Sequence, residues 1–357
     1  MQRVIQPIMP AKTMRKGRAV KRFCMEQANK GITFTNYSVP ELLFEARTVA
    51  VDSSLIMEGK NAVRLVTAPM IVCPVSKLKK QSAWMMLTAG VALGCEDYKP
   101  LEDFIGRVGF ERGRLIRQYP PIQSIGYDDA RRLETTLHRD ANGMRAFTKG
   151  EPEAVLSRCA QVLDGRQRVL SDVDRKMILG AAHEIEQKGL ETLAFATKWQ
   201  AEPGEPEREM TFLGIVGMGD LPDPLSPMWM DWLRDLGIRP ILISREHLTR
   251  AAARMTGVVR LDAEPVYSAQ IQNAEDERLE TLTKTTDAYL GCSNAQRRKI
   301  LRAFRKHETV PLVLPSPEGG VAISTGLTDE DDVTIRHGNF DEAVKVFQEC
   351  HALLGEA

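Results

Sequence analysis

A carboxylate at the end of an apolar run is the first residue of this 357-residue chain that could do chemistry. Asp52, followed by two serines, comes directly after residues 47–51 (RTVAV), which predict a short buried strand. A carboxylate at the carboxyl end of a strand in an α/β sheet can act as a nucleophile or a metal ligand. It can equally cap a turn or a helix, so both interpretations of Asp52 stay open.

A lysine and a glycine ahead of a predicted helix form the second candidate site. Residues 146–160 read AFTKGEPEAVLSRCA. Pro152 suits the first turn of a helix, because no hydrogen bond needs its missing N–H there. The flanking glutamates suit the positive end of the helix dipole. Lys149 and Gly150 combine an ammonium group with backbone that a ligand can approach closely. This favours an anion site, although the same loop can simply lead into the helix.

Alternating strands and helices must position these residues. After residue 205 the alternation is regular, and with the strand before Asp52 it predicts a doubly wound parallel sheet that is split in sequence. The intervening part mixes helices with antiparallel strand signals, including a hairpin turn at 140–143, and predicts an α+β insert. The main predicted helices are 81–93, 101–108, 171–188, 227–236, 247–255, 296–306 and 339–354. The main predicted strands are 47–51, 193–197, 212–218, 240–243 and 310–314.

The same pattern divides the chain into segments. A polar, Pro- and Gly-rich stretch at 201–208 predicts a linker at the end of the insert. The predicted domains are a basic N-terminal segment at 1–39, the first part of the parallel-sheet domain at 40–66, the insert at 67–204, and the second part of the parallel-sheet domain at 205–357. The basic residues of the N-terminal segment predict either a solvated helix or arm, or a segment that faces lipid.

Composition restricts the functional class. The 48 Lys and Arg residues balance 48 Asp and Glu residues, so the overall charge does not favour nucleic acid as a partner. No apolar run approaches the roughly 18–20 residues of a membrane helix, and the N-terminus lacks the apolar core of a signal peptide. The six cysteines have no metal-binding spacing, which predicts reduced thiols in a cytosolic protein.

Several ordered motifs resemble the cytoplasmic headpiece of the P2-type cation-transporting ATPases. They are FTKGEPEAVLSRC, KGLETLAFAT, MTFLGIVGMGDLPDP and LRDLGIRPILIS. The resemblance runs from about Pro40 to the C-terminus. It implies a haloacid-dehalogenase-like phosphorylation domain, whose doubly wound parallel sheet is split by an inserted α+β nucleotide-binding domain. The closing NFDEAVKVFQECHALL resembles the segment before a membrane helix of such pumps. We therefore expect either a headpiece without its membrane part or a fragment of a longer protein.

The resemblance also implies a catalytic site whose motifs are eroded. Asp52 falls on the aspartate that ATP phosphorylates in the family motif DKTGT, but Ser-Ser-Leu follows it here. Ser54 keeps a hydroxyl two residues on. Ser244 falls on the threonine of the family's TGD, and Arg297 falls on a phosphate-binding lysine. These four residues are the predicted, vestigial catalytic residues.

The magnesium loop of the family, GDGVND, is the motif that differs most. It falls on residues 318–324 (EGGVAIS), where Gly320 and Ser324 replace the two aspartates and Glu318 is a possible substitute ligand. Magnesium prefers carboxylate oxygens in octahedral geometry. Asp52 is the one clear carboxylate left, so we expect no confident metal site and weak Mg²⁺ binding at most. The acidic residues at 329–332 lie after this loop and predict a turn or helix-face cluster.

The resemblance implies a nucleotide pocket that is partly preserved. Its predicted residues are Tyr127, whose ring would stack on adenine, with Arg132, Lys149 and Gly150. The family's acidic GDPTE contact has no clean match near residues 95–97, and Glu191 replaces an expected arginine. A glutamate also replaces the alanine of the family's KGAPE and adds negative charge beside the lysine. We expect either weak ATP binding or a buried tyrosine that plugs an empty pocket.

These observations favour one function and leave two alternatives. The favoured hypothesis is a degenerate, cytoplasmic headpiece at the inner face of a membrane. It would be a pseudoenzyme with weak or no ATP binding that acts through a partner, such as a membrane transporter or membrane-helix subunit. The first alternative is an active magnesium-dependent ATPase headpiece, or a phosphatase that uses Asp52. The second is a purely structural interaction module.

Overall fold

The computed structural model describes residues 11–67, 70–77, 82–94, 98–141, 143–199, 204–260, 262–326 and 332–355. The chain forms two compact units: unit 1 is Met1–Glu58 with Pro222–Ala357, and unit 2 is Gly59–Leu221. The helices are α1 (Ala11–Asn29), α2 (Val39–Glu45), α3 (Ser82–Leu93), α4 (Lys99–Arg107), α5 (Arg112–Gln118), α6 (Pro152–Ser157), α7 (Asp172–Gln187), α8 (Ser226–Asp235), α9 (Arg250–Met255), α10 (Ser268–Gln272), α11 (Asp276–Thr285), α12 (Asn294–Arg305) and α13 (Phe340–Gly355). None of the helices in these ranges is long and apolar enough to cross a membrane.

The strands follow the same chain order. They are β1 (Ile32–Phe34), β2 (Thr48–Asp52), β3 (Ala62–Thr67), β4 (Val72–Pro74), β5 (Pro121–Asp128), β6 (Leu133–Asp140), β7 (Gly143–Gly150), β8 (Cys159–Asp164), β9 (Arg166–Val169), β10 (Glu191–Lys198), β11 (Met210–Gly219), β12 (Arg239–Ile243), β13 (Val266–Tyr267), β14 (Ala288–Leu290), β15 (Leu312–Pro315), β16 (Val321–Ser324) and β17 (Val333–Ile335).

Unit 1 is built on a sheet with the strand order β1-β17-β16-β15-β2-β12-β14-β13. The strands from β15 to β13 are parallel, and β16, β17 and β1 extend the sheet in antiparallel fashion. β2 is buried along its whole length and contributes to both faces. Val49 and Val51 pack in the core with α2, α8 and α13, whereas Ala50 packs with α11 and α12. Helices therefore cover both faces of a parallel sheet, and the predicted α/β fold class is confirmed.

Unit 2 is a mainly antiparallel sheet with helices on both faces. Its central strand order is β4-β3-β11-β10-β7-β6-β5, and β8 and β9 attach beside β11. One core contains residues of α6 and α7, and the other contains residues of α3 and α4. α7 begins where the sequence predicts, because Ser171 and Asp174 form a capping box at its first turn. The mixture of helices and antiparallel strands agrees with the α+β character expected of the insert.

The unit boundaries differ from the sequence-based domain boundaries. The sequence places the insert at 67–204, whereas the compact unit runs Gly59–Leu221. β3 and β11 account for the difference, because they pair with each other in the sheet of unit 2, with Val66 opposite Val216. The segment 212–218, expected to resume the parallel sheet, lies instead inside β11, which is buried on both faces. An apolar run predicts a buried strand but does not say which sheet contains it.

The N-terminal segment is part of unit 1. α1 buries Val20, Phe23 and Cys24 in the unit 1 core, and Lys30 behind it forms an ion pair of 3.2 Å with Glu349 of α13. The exposed basic residues Arg18, Lys21 and Arg22 lie on the other side of the helix. From residue 16 onward, α1 thus has one packed face and one solvated, basic face.

Candidate functional site

Asp52 lies at the carboxyl end of β2, and its side chain is only 4% exposed. One carboxylate oxygen, Oδ1, accepts hydrogen bonds from the backbone N–H of Ser54 at 3.1 Å and from its hydroxyl at 2.6 Å. These contacts start the short 3-10 helix Ser53–Leu55. The two interpretations of Asp52 are therefore compatible, because the residue is both a strand-end carboxylate and a turn cap.

Arg297 occupies the other carboxylate oxygen of Asp52. Its Nη1 donates to Oδ2 at 2.9 Å, and the arginine side chain is 21% exposed. Arg297 lies in the first turn of α12, where Ser293 and Gln296 form a capping box that fixes the start of the helix. Both oxygens of the carboxylate are thus hydrogen-bonded, and its charge is compensated within unit 1.

Ser244 follows β12, which runs parallel to β2 with Ile243 opposite Asp52. The serine is fully buried, and its Oγ accepts hydrogen bonds from the Ser53 hydroxyl at 2.9 Å and from the Glu246 backbone at 3.0 Å. The structure therefore brings the predicted residues Asp52, Ser54, Ser244 and Arg297 to one end of the sheet. Ser53 also belongs to this group, although its place next to Asp52 was the only sequence signal for it.

The segment matched to the magnesium loop is divided between a turn and strand β16. A tight turn joins β15 to β16, in which the Ser316 N–H donates to the Gly320 carbonyl at 3.1 Å. β16 then returns along β15, so Ser324 lies opposite Leu312, and Leu312 lies opposite Ala50 of β2. Ser324 therefore lies at the end of β15 away from this turn, whereas Glu318 and Gly320 belong to the turn itself.

The donor set around Asp52 does not fit magnesium. No group of three or more His, Cys, Asp or Glu side chains that could hold a metal occurs within the described ranges. Both Asp52 oxygens are already bonded, whereas Mg²⁺ requires several oxygen ligands in near-octahedral geometry. Of the acidic cluster at 329–332, residues 329–331 lie outside the described residues. Asp332 is buried and accepts hydrogen bonds from Thr325.

In unit 2 the hairpin of β6 and β7 brings Arg132, Lys149 and Gly150 together. Gly150 lies opposite Leu133, and a Cβ at this glycine would lie 2.5 Å from the Arg132 carbonyl oxygen and 2.5 Å from the Leu133 Cβ. Arg132 has a positive φ of 55°, and its carbonyl accepts from the Glu151 N–H at 3.0 Å. The glycine is therefore required by a close backbone approach inside the protein, independent of any ligand.

Both cations of this group are paired with carboxylates. Lys149 Nζ lies 2.6 Å from Glu134 Oε1, and the lysine side chain is 13% exposed. Arg132 Nη1 lies 2.7 Å from Glu151 Oε2, with both side chains roughly half exposed. The sequence indicates that Glu151 adds negative charge beside the lysine, but its carboxylate contacts the arginine. Glu134 was missed, although counting back from the hairpin turn at 140–143 places it opposite Lys149.

Tyr127 lies on the neighbouring strand β5, and 54% of the residue is exposed. The next residue, Asp128, is opposite Leu133, so Tyr127 lies at the same end of the sheet as Gly150. The hypothesis of a buried tyrosine that plugs the pocket is wrong. Glu191 begins β10 and is exposed. Residues 95–97, where an acidic contact was sought, lie outside the described residues.

Comparison with known proteins agrees with this organisation. Residues 100–224 match the family model of the P-type ATPase, cytoplasmic domain N, and cover unit 2 from α4 onward. The calcium-transporting ATPase 1 of Bacillus cereus is 25% identical over 260 residues, which are 67% of this chain and 29% of that protein. This chain is homologous to the cytoplasmic headpiece of the P-type ATPases.

Two other proteins are similar to this chain over different shares of its length. The cation-transporting ATPase pma1 of Synechocystis is 34% identical over 155 residues, which are 41% of this chain and 17% of that protein. The calcium-transporting ATPase 1 of Yarrowia lipolytica is 22% identical over 301 residues, which are 78% of this chain and 32% of that protein. The chain therefore spans about a third or less of the length of these relatives.

Proposed function

We propose that this headpiece is a pseudoenzyme, with weak or no ATP binding, that acts through a partner. The support is that the charged candidate residues are each paired with an oppositely charged side chain inside their own units. In unit 1 the carboxylate of Asp52 is paired with Arg297. In unit 2 Lys149 and Arg132 are each paired with a glutamate. A nucleotide or a phosphoryl group would have to displace these internal partners.

The pairing at Asp52 opposes its use as a nucleophile. An attack on phosphorus needs a free carboxylate oxygen, and the Arg297 contact occupies one while Ser54 occupies the other. If the guanidinium moved away, the carboxylate would stay buried without its cation, and losing one partner of a buried ion pair costs about 3–5 kcal/mol. Added to an activation barrier, that cost slows a reaction by roughly 10²–10⁴-fold, at about 1.4 kcal/mol per factor of ten. The lack of a fitting donor set for magnesium removes the usual compensation for charge in phosphoryl transfer.

The proposed partner is a membrane transporter or a membrane-helix subunit. The relatives are named calcium- and cation-transporting ATPases, and the chain matches only a part of each. A headpiece of this kind would work on the cytoplasmic side, at the inner face of the membrane. The exposed basic face of α1, with Arg18, Lys21 and Arg22, fits an anionic cytoplasmic leaflet.

A working phosphatase or ATPase is the second candidate. The observation in its favour is that Asp52, Ser244 and Arg297 lie together at the carboxyl end of neighbouring parallel strands. Incubation with γ-labelled ATP and Mg²⁺, followed by acid quenching, separates the two functions. The pseudoenzyme gives no labelled protein. An acid-stable, hydroxylamine-sensitive label that is absent from Asp52→Asn establishes the enzyme instead.

Binding measurements test the remaining parts of the proposal. Calorimetry is expected to show ATP binding only at millimolar concentration, and its complete absence there would favour a purely structural module. For the partner, the full chain is mixed with vesicles from the native membrane and sedimented. The proposal predicts co-sedimentation that falls sharply when the vesicles are first treated with protease. Undiminished co-sedimentation after protease treatment would indicate binding to lipid alone and would contradict a protein partner.

A further inference from the structure

A groove between α11 and α12 in unit 1 carries an excess of positive charge. Its volume is about 460 Å³, and four cationic side chains line it, three from α12 and Lys306 directly after this helix, while α11 contributes Asp276. Two of the four cations have internal partners. Lys306 forms an ion pair with Glu280, and Lys299 Nζ donates to the Ala274 carbonyl at 2.5 Å.

The other two cations, Arg298 and Arg302, are exposed. Neither guanidinium has a hydrogen bond or an ion pair to any of the described residues. They are four positions apart, so they lie on successive turns of one helix face, with Cβ atoms about 5–6 Å apart. The groove therefore presents two unpaired planar cations side by side.

The scaffold holds these two arginines in fixed positions. α12 buries Ile300, Leu301 and Phe304 in the core on its opposite face, and α11 is anchored by Leu279. Two alanines of α12 also line the groove and leave its floor open between the longer side chains. Sites built on packed helices position their groups more accurately than sites on loops.

The groove is separate from the pair at Asp52. Arg297 turns its guanidinium toward the carboxylate, at 2.9 Å. Arg298 is the next residue, and successive residues of an α-helix are about 100° apart around its axis. The same helix thus presents one arginine to the strand ends and the next to the groove.

We propose that this groove binds a small phosphorylated molecule with two phosphate groups about one helical turn apart, one held by Arg298 and the other by Arg302. The planar fork of an arginine matches phosphate oxygens in a bidentate fashion. The volume lies in the range of small-molecule pockets, about 300–1,000 Å³. The carboxylate of Asp276 on the opposite wall repels an anion. The affinity for a phosphorylated ligand therefore depends on the excess of cations over this carboxylate. A concave groove also suits a compact soluble ligand better than the plane of a membrane.

Calorimetry with inorganic tripolyphosphate as the probe and orthophosphate as the single-phosphate comparison tests the proposal on the full chain. Tripolyphosphate binds more tightly than orthophosphate. Arg298→Ala and Arg302→Ala each weaken it by about ten- to hundredfold, the range for hydrogen bonds to charged groups. Arg278→Ala is the matched control, because Arg278 is exposed on α11 and does not line the groove. It leaves the affinity unchanged, and Asp276→Asn strengthens it.

Several results would overturn the proposal. They are the absence of tripolyphosphate binding at millimolar concentration, an equal loss in the Arg278→Ala control, and weaker binding by Asp276→Asn. Vesicles that contain phosphatidylinositol bisphosphate provide the membrane comparison, and binding to vesicles without binding to tripolyphosphate also refutes a soluble ligand. A measurement on the wild-type chain tests the site even if the variants fail to fold. In the wild-type chain, tripolyphosphate protects Arg298 and Arg302 from phenylglyoxal, as mapped by mass spectrometry, and a lack of protection contradicts the site.

Discussion

Replacing Arg297 by alanine should destabilise unit 1, because it leaves the carboxylate of Asp52 buried without its cation. The Asp52 side chain is 4% exposed, and the 2.9 Å contact from the guanidinium neutralises it. Removing one partner of a buried ion pair typically costs about 3–5 kcal/mol. We expect about 3 kcal/mol, the lower end, because Arg297 is partly exposed and the two hydrogen bonds from Ser54 remain in the variant.

A double-mutant cycle separates the ion pair from other effects of the substitution. Asp52→Asn leaves a guanidinium that can still reach water, so it should cost less, about 1–2 kcal/mol. In the double variant no carboxylate is left unpaired. Its destabilisation should therefore fall short of the sum of the single changes by about 2 kcal/mol. Arg297→Lys keeps the charge but loses the planar fork, and it should retain most of the stability.

The assay is urea denaturation combined with hydrogen exchange of the peptide that contains β2. A local probe is needed because two compact units need not unfold in one transition. Arg298→Ala is the matched control, since its side chain is exposed in the same helical turn, and it should change stability by less than about 0.5 kcal/mol. Equal and small effects of the Arg297 and Arg298 changes, or a cycle without coupling, would refute the reasoning.

Three further predictions concern positions outside this pair. Gly150→Ala should destabilise unit 2 by about 1–3 kcal/mol, because the new Cβ overlaps the neighbouring strand; thermal unfolding followed by exchange in β7 checks this. Asp174→Ala should cost about 1–2 kcal/mol at neutral pH. Hydrogen bonds from Arg168 and Ser171 hold the pKa of this carboxyl well below its usual range. Because the stabilisation disappears on protonation, the effect of the substitution should shrink below about pH 4. Burial lowers the pKa of His351, so unit 1 should lose stability as the pH falls below about 6.5, and His351→Phe should remove part of that loss in urea titrations at pH 7 and 5.

Local sequence patterns predict the elements well where they carry their own signals. The capping box at Ser171 gives the start of α7, and the apolar run 240–243 gives β12, which extends one residue further at its start. The turn at 140–143 gives a hairpin whose register follows by counting. Such signals act over a few residues, so one sequence contains them in full.

Pairings between distant segments were not predictable in the same way. β11 reads as a strand of the parallel sheet, but its pairing with β3 across more than 140 residues places it in unit 2. β16 reads as a loop because it was matched to a family motif, and only its antiparallel pairing with β15 shows that it is a strand. The ion pair between Asp52 and Arg297 joins residues 245 positions apart. The family resemblance placed both residues at one site, whereas their direct contact came from the structure.

Lys149 and Arg132, the cations of the proposed nucleotide site, are both neutralised by glutamates within unit 2. Calorimetry of ATP with the wild-type chain and with the double variant Glu134→Gln and Glu151→Gln tests this neutralisation most directly. These changes free Lys149 and Arg132 from their carboxylate partners and keep side chains of nearly the same size. We predict weak binding by the wild-type chain and at least tenfold tighter binding by the double variant. Micromolar binding by the wild-type chain, or no gain in the variant, would contradict the claim.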